Sequence, residues 1–210
     1  MTDTQFAAFL VAITLLTISP GVDTLLVLRN TSRGGWKDGL VSSLGICSGL
    51  FFHATVSAVG ISVILLQSVW AFGMLKLAGA LYLVWLGVQS LRSLRASPLS
   101  GAIPVKSCDF KWIRSIREGV LSNVLNPKTI IFYMAFLPQF VNPAGDLLLQ
   151  SLTLAGIHFL IDMLWLSILT GLVYRIKGWA GGARVEKILQ GTTGGVMVAL
   201  GVGMALDKNE

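Results

Sequence analysis

The chain has 210 residues, of which 54% are hydrophobic and 12% are charged, and its formal net charge is +6. A soluble fold of this size needs more polar surface than that, so the composition predicts a protein of the lipid bilayer. The positive charge does not indicate nucleic acid binding, because the basic residues stand in short stretches between long apolar runs.

The apolar runs are long enough to cross a bilayer, since about 20 apolar residues span the hydrocarbon core as a helix. We predict an all-α integral membrane protein with six transmembrane helices, near residues 6–28, 39–66, 68–91, 119–141, 147–174 and 188–206. Five helices are the alternative, because almost nothing separates the second run from the third near Gln67. No Lys or Arg precedes the first run, which is too long for a signal-peptide core, so no cleavage is expected.

The basic residues orient these helices, because Lys and Arg accumulate in loops that stay in the cytoplasm. The first, third and fifth predicted loops carry such residues, among them Arg29, Arg33, Arg114 and Arg175. The second and fourth predicted loops carry none. Both termini are therefore predicted to lie outside the cytoplasm.

The long basic connection at residues 92–118 divides the chain into two parts, 1–91 and 119–210, with three predicted helices each. Because three is an odd number, the second part must enter the membrane in the opposite sense to the first. This is the topology of inverted-repeat transporters. We predict a single membrane domain, built as a 3+3 inverted repeat around a cytoplasmic linker.

Two of the predicted helices are interrupted, at Ser19-Pro20-Gly21 in the first and at Asn126-Pro127 in the fourth. Ser or Asn directly before Pro is typical of a helix start, so both positions predict broken helices. At that depth, unpaired backbone is tolerated only when it lines a cavity or is buried in protein. Two positive helix ends can then converge on a carboxylate. Two ordinary proline kinks are the alternative.

Ionisable residues inside the predicted helices usually mark a transport pathway. Asp23 can bind a substrate ammonium or a proton, or it can simply complement a helix dipole. His158 and Asp162 lie one turn apart on one helix face, where they can relay protons or form a structural pair. Lys128 can bind a carboxylate or pair with an acid such as Asp23. His53 is predicted to be structural.

Other classes of membrane protein have less support. Cys47 and Cys108 stand far apart, so neither a disulfide framework, a structural zinc site nor a thiol-redox carrier is predicted. No G-x-S-x-G or H-E-x-x-H motif occurs, so we predict no enzyme activity, no catalytic residues and no cofactor. A cation or metal ion exporter remains the alternative, although the predicted helices hold few metal ligands.

Small residues at Gly45-x-x-x-Gly49 allow close helix contact in the second predicted helix. The motif fits a contact within the fold and a homodimer interface equally well. The sequence does not choose between them.

The broken-helix motifs resemble those of a known family. Ser19-Pro20-Gly21-Val22-Asp23, followed by Arg29-Asn30-x-x-Arg33-Gly34-Gly35 and later by Asn126-Pro127-Lys128, is similar to the LysE/RhtB family of bacterial amino acid exporters. The resemblance covers essentially the whole chain. It implies export of amino acids or close derivatives, by proton antiport, across the bacterial inner membrane. The chain departs from the family at Val22, where Pro is typical.

The resemblance and the residues lead to one hypothesis for the site. The substrate carboxylate is expected at the two helix breaks, formed by Ser19, Pro20, Gly21, Asn126 and Pro127, with Lys128 nearby. The substrate ammonium is expected to face Asp23, and proton coupling is assigned to Asp23 or to Asp162 with His158. The expected partners are therefore an amino acid, protons and the lipid bilayer.

Overall fold

A computed structural model describes residues 3–67 and 109–175, together with single helical positions at 74, 77, 81, 84, 85, 88, 92, 198 and 202. Every regular element in this part of the chain is helical. The predicted helices at 68–91 and 188–206, and most of the predicted linker, lie outside the continuously described residues. The count of six helices and the 3+3 repeat therefore stay predictions.

The first predicted helix is broken, as expected, into α1 (Asp3–Ile18) and the start of α2 (Val22–Gln67). Pro20 has no amide N–H, so the hydrogen-bond ladder of α1 ends where Ser19 N donates to the Leu15 carbonyl at 3.0 Å. The ladder of α2 starts with Leu25 N, which donates to the Gly21 carbonyl at 3.0 Å. The predicted helix start at Ser19-Pro20 is therefore wrong by two residues, because Ser19 still belongs to the last turn of α1.

A second interruption divides α2 at Gly34 and Gly35. Gly35 has a φ of 77°, a conformation that residues with a Cβ atom rarely adopt. The segment before this point completes the first predicted helix, and the segment after it corresponds to the second. The loop predicted between those two helices is thus a break of two glycines within a nearly continuous helical stretch.

The fourth predicted helix is also broken, into α3 (Trp112–Val124) and α4 (Pro127–Ile131). α4 continues as a π-helix (Phe132–Phe136) and a 3₁₀ turn (Leu137–Gln139), and the axis bends by 49° at the break. α3 begins at Trp112, inside the predicted linker and before the expected start at residue 119. The break itself lies where the sequence predicts it.

α5 (Leu147–Arg175) matches the fifth predicted helix closely. Asp146 caps its start, because Asp146 Oδ1 accepts a 2.9 Å hydrogen bond from Leu149 N. Among the described residues, Val22–Ile61 and Leu147–Arg175 are long and apolar enough to cross a membrane, and the bent pair of α3 with the segment 127–139 makes a third if it is one span.

α2 packs directly against α3 through the glycine motif. A Cβ atom added at Gly45 would lie closer than 3.0 Å to the Ile116 carbonyl, and one added at Gly119 would meet the Ser42 carbonyl in the same way. Gly49 makes a similar approach to the Asn123 side chain. The Gly45-x-x-x-Gly49 motif therefore serves a contact within the fold, where small residues let two backbones approach.

Candidate functional site

The two helix breaks face one small cavity of about 40 Å³. Every predicted site residue except the two prolines lines this cavity: Ser19, Gly21, Asp23, Asn126, Lys128, His158 and Asp162. Leu16, Leu50 and Leu166 add an apolar wall. The volume accommodates roughly three water molecules, so a larger molecule does not fit in this conformation.

The Asp23 carboxylate joins the first break to the second. Its Oδ1 accepts a hydrogen bond of 2.7 Å from Ser122 Oγ. Its Oδ2 accepts from Asn123 Nδ2 at 3.1 Å and from Asn126 Nδ2 at 2.9 Å. Asp23 also lies in the first turn of α2, where the helix dipole favours a negative charge. The carboxylate is thus well satisfied by hydrogen bonds to the second break.

Lys128 makes the reciprocal connection, from the second break to the first. Its Nζ donates to the Leu16 carbonyl at 2.7 Å and to the Ser19 carbonyl at 2.9 Å. Pro20 cannot supply the amide N–H that the Leu16 carbonyl would receive in a continuous helix, and Lys128 replaces it. The ammonium lies at the negative end of the α1 dipole. No ion pair joins Lys128 to Asp23 in the described part of the chain.

Asn126 acts as the predicted cap of the second break. Its Oδ1 accepts a 3.0 Å hydrogen bond from Lys128 N, and Pro127 occupies the first turn of α4. The Asn126 side chain thus caps α4 through its oxygen and binds Asp23 through its nitrogen. The sequence predicts the first of these contacts but not the second.

His158 and Asp162 both face the cavity, but no hydrogen bond joins them within the described residues. His158 Nε2 lies 3.3 Å from Thr17 Oγ1, and His158 Nδ1 lies 3.1 Å from the Tyr133 hydroxyl. Cys47 Sγ lies 3.6 Å from Asp162 Oδ2, and this weak bond is the only one to the Asp162 carboxyl group from the described residues. Asp162 is only 8% exposed, so its carboxyl group is buried with little hydrogen-bond support from the described residues.

A cluster of charges joins α2 to the start of α3. Arg33 contacts Asp38 through Nε and Nη2, at 3.0 and 3.1 Å, and Glu118 through Nη1 at 3.0 Å. Arg29 reaches Glu118 at 2.7 Å, and Arg114 lies 3.7 Å from the fully buried Asp38. From the sequence alone, these arginines are interpreted only as topology signals. The acidic residues beside the basic stretches are the signal that could have indicated this cluster.

Several residues of the site were missed because they are ordinary polar residues of helices. Ser122 and Asn123 bind Asp23, while Thr17 and Tyr133 bind His158. Only the polar run before the second break, Ser122-Asn123-x-x-Asn126, carried a usable signal. Among the residues that the structure describes, no group of three or more His, Cys, Asp and Glu side chains could hold a metal ion.

Comparison with known proteins places this chain in a family. The family model for LysE type translocators matches residues 14–208. The chain is 35% identical over 200 residues to the uncharacterized membrane protein YrhP of Bacillus subtilis, covering 93% of this chain and 95% of that protein. It is 31% identical over 205 residues to the homoserine/homoserine lactone efflux protein of Salmonella typhimurium, covering 98% of both.

A third relative is the threonine efflux protein of Escherichia coli K12, which is 27% identical over 195 residues, with 91% of this chain and 92% of that protein covered. No solved structure matches the chain. The family match extends over nearly the whole chain, and the described helices include apolar ones long enough to cross a bilayer. The chain is therefore a membrane protein that belongs to the LysE/RhtB family of translocators.

Proposed function

We propose that this protein exports amino acids or close derivatives across the bacterial inner membrane in exchange for protons. The names of its relatives support amino acids as the substrate class, because two of them are efflux proteins for homoserine and threonine. The observation that carries the proposal is the cavity between the helix breaks. It brings one ammonium group and two carboxyl groups together, and these charges complement an amino acid zwitterion.

The substrate carboxylate binds beside Lys128 in this proposal. An ammonium group has three N–H donors, and the Leu16 and Ser19 carbonyls use two of them, which leaves the third for a ligand. The start of α2 beyond Gly21 adds the positive end of a helix dipole on the same wall. Ser19, Pro20, Asn126 and Pro127 shape that wall.

The substrate ammonium and the proton compete for Asp162 rather than for Asp23. Three hydrogen bonds already satisfy Asp23, whereas among the residues that the structure describes only the weak Cys47 thiol supports Asp162. Burial of a carboxylate with so few partners costs free energy, so Asp162 holds either a proton or a cation. Asp23 keeps the two breaks together. His158, between two hydroxyl groups, passes protons towards the cavity.

Transport then follows alternating access. The two predicted three-helix halves rock about the cavity, so that the site faces the cytoplasm and the periplasm in turn. Both termini lie on the periplasmic side in this arrangement. Each turn exports one substrate after Asp162 has exchanged its proton for the substrate ammonium.

The test uses purified protein in liposomes loaded with a panel of labelled amino acids, including homoserine, threonine and lysine, with and without an inward proton gradient. We expect the gradient to accelerate efflux through the wild type, and Asp162→Asn to lower the accelerated rate by at least about tenfold. Asp109→Asn is the matched control, because Asp109 is an exposed carboxylate that does not line the cavity.

The two parts of the proposal fail separately. No amino acid efflux from the wild type, with cation efflux in its place, would overturn the export function. Gradient-driven efflux at the wild-type rate in Asp162→Asn would leave export standing but remove Asp162 from proton coupling.

A further inference from the structure

His53, which is predicted from the sequence to be structural, lies at the second break. It is 2% exposed and does not line the cavity. Its Nε2 lies 3.0 Å from the Asn123 carbonyl. Asn123 is four residues before Pro127, so a continuous helix would use the amide of residue 127 to bind this carbonyl, and proline has no such amide. The Asn126 amide donates to this carbonyl at 2.9 Å, and His53 supplies a second donor in place of the missing amide.

We propose that His53 is a positioning residue for the substrate site, because it holds the end of α3 through a second hydrogen bond to the Asn123 carbonyl, which Pro127 cannot bind. The last turn of α3 carries Ser122 and Asn123, and Asn126 lies two residues beyond its end. Together these three side chains hold Asp23. The effect on transport rests on the proposed function. The positioning itself rests only on the contacts.

The surroundings of His53 hold its ring in the orientation that this role needs. Gly49 lies one turn earlier on the same helix, and its lack of a side chain lets α2 approach Asn123. The Tyr133 ring lies 5.7 Å from the His53 ring at 34°, and the Phe52 ring meets it edge-on at 5.7 Å. The aromatic contacts and the close approach of α2 to α3 thus set both the distance and the direction of the hydrogen bond that Nε2 donates.

The same geometry separates His53 from proton transfer. A backbone carbonyl only accepts a hydrogen bond, so Nε2 carries the hydrogen of this contact, and the carbonyl does not pass a proton on. A glutamine side chain can present an N–H donor at about the place of Nε2 without titrating. His53→Gln therefore tests the donor, and His53→Leu removes it.

The first experiment measures thermal unfolding of the purified protein in detergent and needs no transport activity. His53→Leu leaves the Asn123 carbonyl with less hydrogen-bond support, so we expect Tm to fall by roughly 3–10 °C, and His53→Gln to recover most of that loss. In the Pro127→Ala background the new amide can bind Asn123, so His53→Leu should then lower Tm much less. Equal losses in both backgrounds would overturn the proposal.

The second experiment measures amino acid efflux as a function of substrate concentration and pH. We expect His53→Leu to raise KM by about tenfold with a smaller change in kcat, and His53→Gln to keep both the KM and the pH profile of the wild type. Val59→Leu, at an exposed position of the same helix, is the control.

A shifted pH profile in His53→Gln would assign His53 to proton transfer and overturn the proposal. Absence of amino acid efflux from the wild type would defeat the proposed function instead, and the Tm comparison would still decide the positioning role.

Discussion

Lys128 Nζ donates a 2.7 Å hydrogen bond to the carbonyl of Leu16, which lies 112 residues earlier in the chain. That carbonyl is the one that Pro20 leaves without an amide donor. Asp23 makes the opposite connection, from the first break to side chains around the second. Each break is thus bound by a charged residue from the other, so a rearrangement of one break removes hydrogen-bond partners from the other.

Replacement of Lys128 by methionine should destabilise the first break. Lys128→Met leaves the Leu16 carbonyl buried without its donor, so we expect a fall in Tm of roughly 3–10 °C and loss of amino acid efflux. Adding Pro20→Ala should restore part of the Tm, because the new amide can bind Leu16, but should not restore efflux. Lys37→Met, at an exposed position, is the control. A double variant no more stable than Lys128→Met would contradict this account.

Asp23→Asn should affect transport differently from Asp162→Asn. The asparagine oxygen can still accept from Asn123 and Asn126, and its NH2 group can donate to Ser122 Oγ, but the charge that strengthens these hydrogen bonds is lost. We expect a lower Tm and loss of substrate exchange even without a pH gradient. Counterflow of labelled amino acid in liposomes measures this. Normal counterflow in Asp23→Asn would mean that the two breaks do not need this connection.

The contact of α2 with α3 allows a test with matched glycines. Gly119→Ala should force the backbones of the two helices apart, because its Cβ atom would lie closer than 3.0 Å to the Ser42 carbonyl. Overpacking of this kind costs about 1–3 kcal/mol. A Cβ atom at Gly156 meets nothing within 4 Å, so Gly156→Ala should keep the wild-type Tm or raise it slightly. Fluorescence-detected size-exclusion after heating compares the variants, and equal stability would show that the helices can separate freely.

The charge cluster near the start of α3 should contribute strongly to stability. Asp38→Asn removes the carboxylate that Arg33 contacts through two nitrogens and leaves a partly unpaired guanidinium. Loss of one partner of a buried ion pair costs about 3–5 kcal/mol. We expect a lower Tm and a lower yield of folded protein, whereas Asp109→Asn should change neither. If Asp38→Asn keeps the wild-type Tm, the cluster does not stabilise the fold, and its basic residues serve only to set the membrane topology.

Local chemistry explains what could be predicted from the sequence. Both breaks were located correctly because Pro20 and Pro127 have no amide hydrogen to donate to the preceding turn, whatever surrounds them. The Asn126 cap followed from the same local reasoning. The start of α2 was misplaced by two residues because Ser19 can cap a helix or end one, and the preceding turn of α1 decided between these options.

Contacts between distant residues could not be read from the sequence. Lys128 was expected to bind a substrate or an acid, but the structure places its ammonium against backbone carbonyls of the first break. Nothing in the sequence around Lys128 indicates Leu16 as its partner. The expected pairing of His158 with Asp162 failed for a similar reason, because residues of other helices offered hydroxyl and thiol partners.

The π-helix at Phe132–Phe136 bears on how the chain can change length. A π-helical turn holds one residue more than an α-helical turn, so removal of one residue there restores ordinary α-helical geometry. A deletion elsewhere in a packed helix rotates everything beyond it by about 100°. This stretch is therefore a place where a natural or engineered one-residue deletion leaves the aromatic side chains beyond it facing the same neighbours.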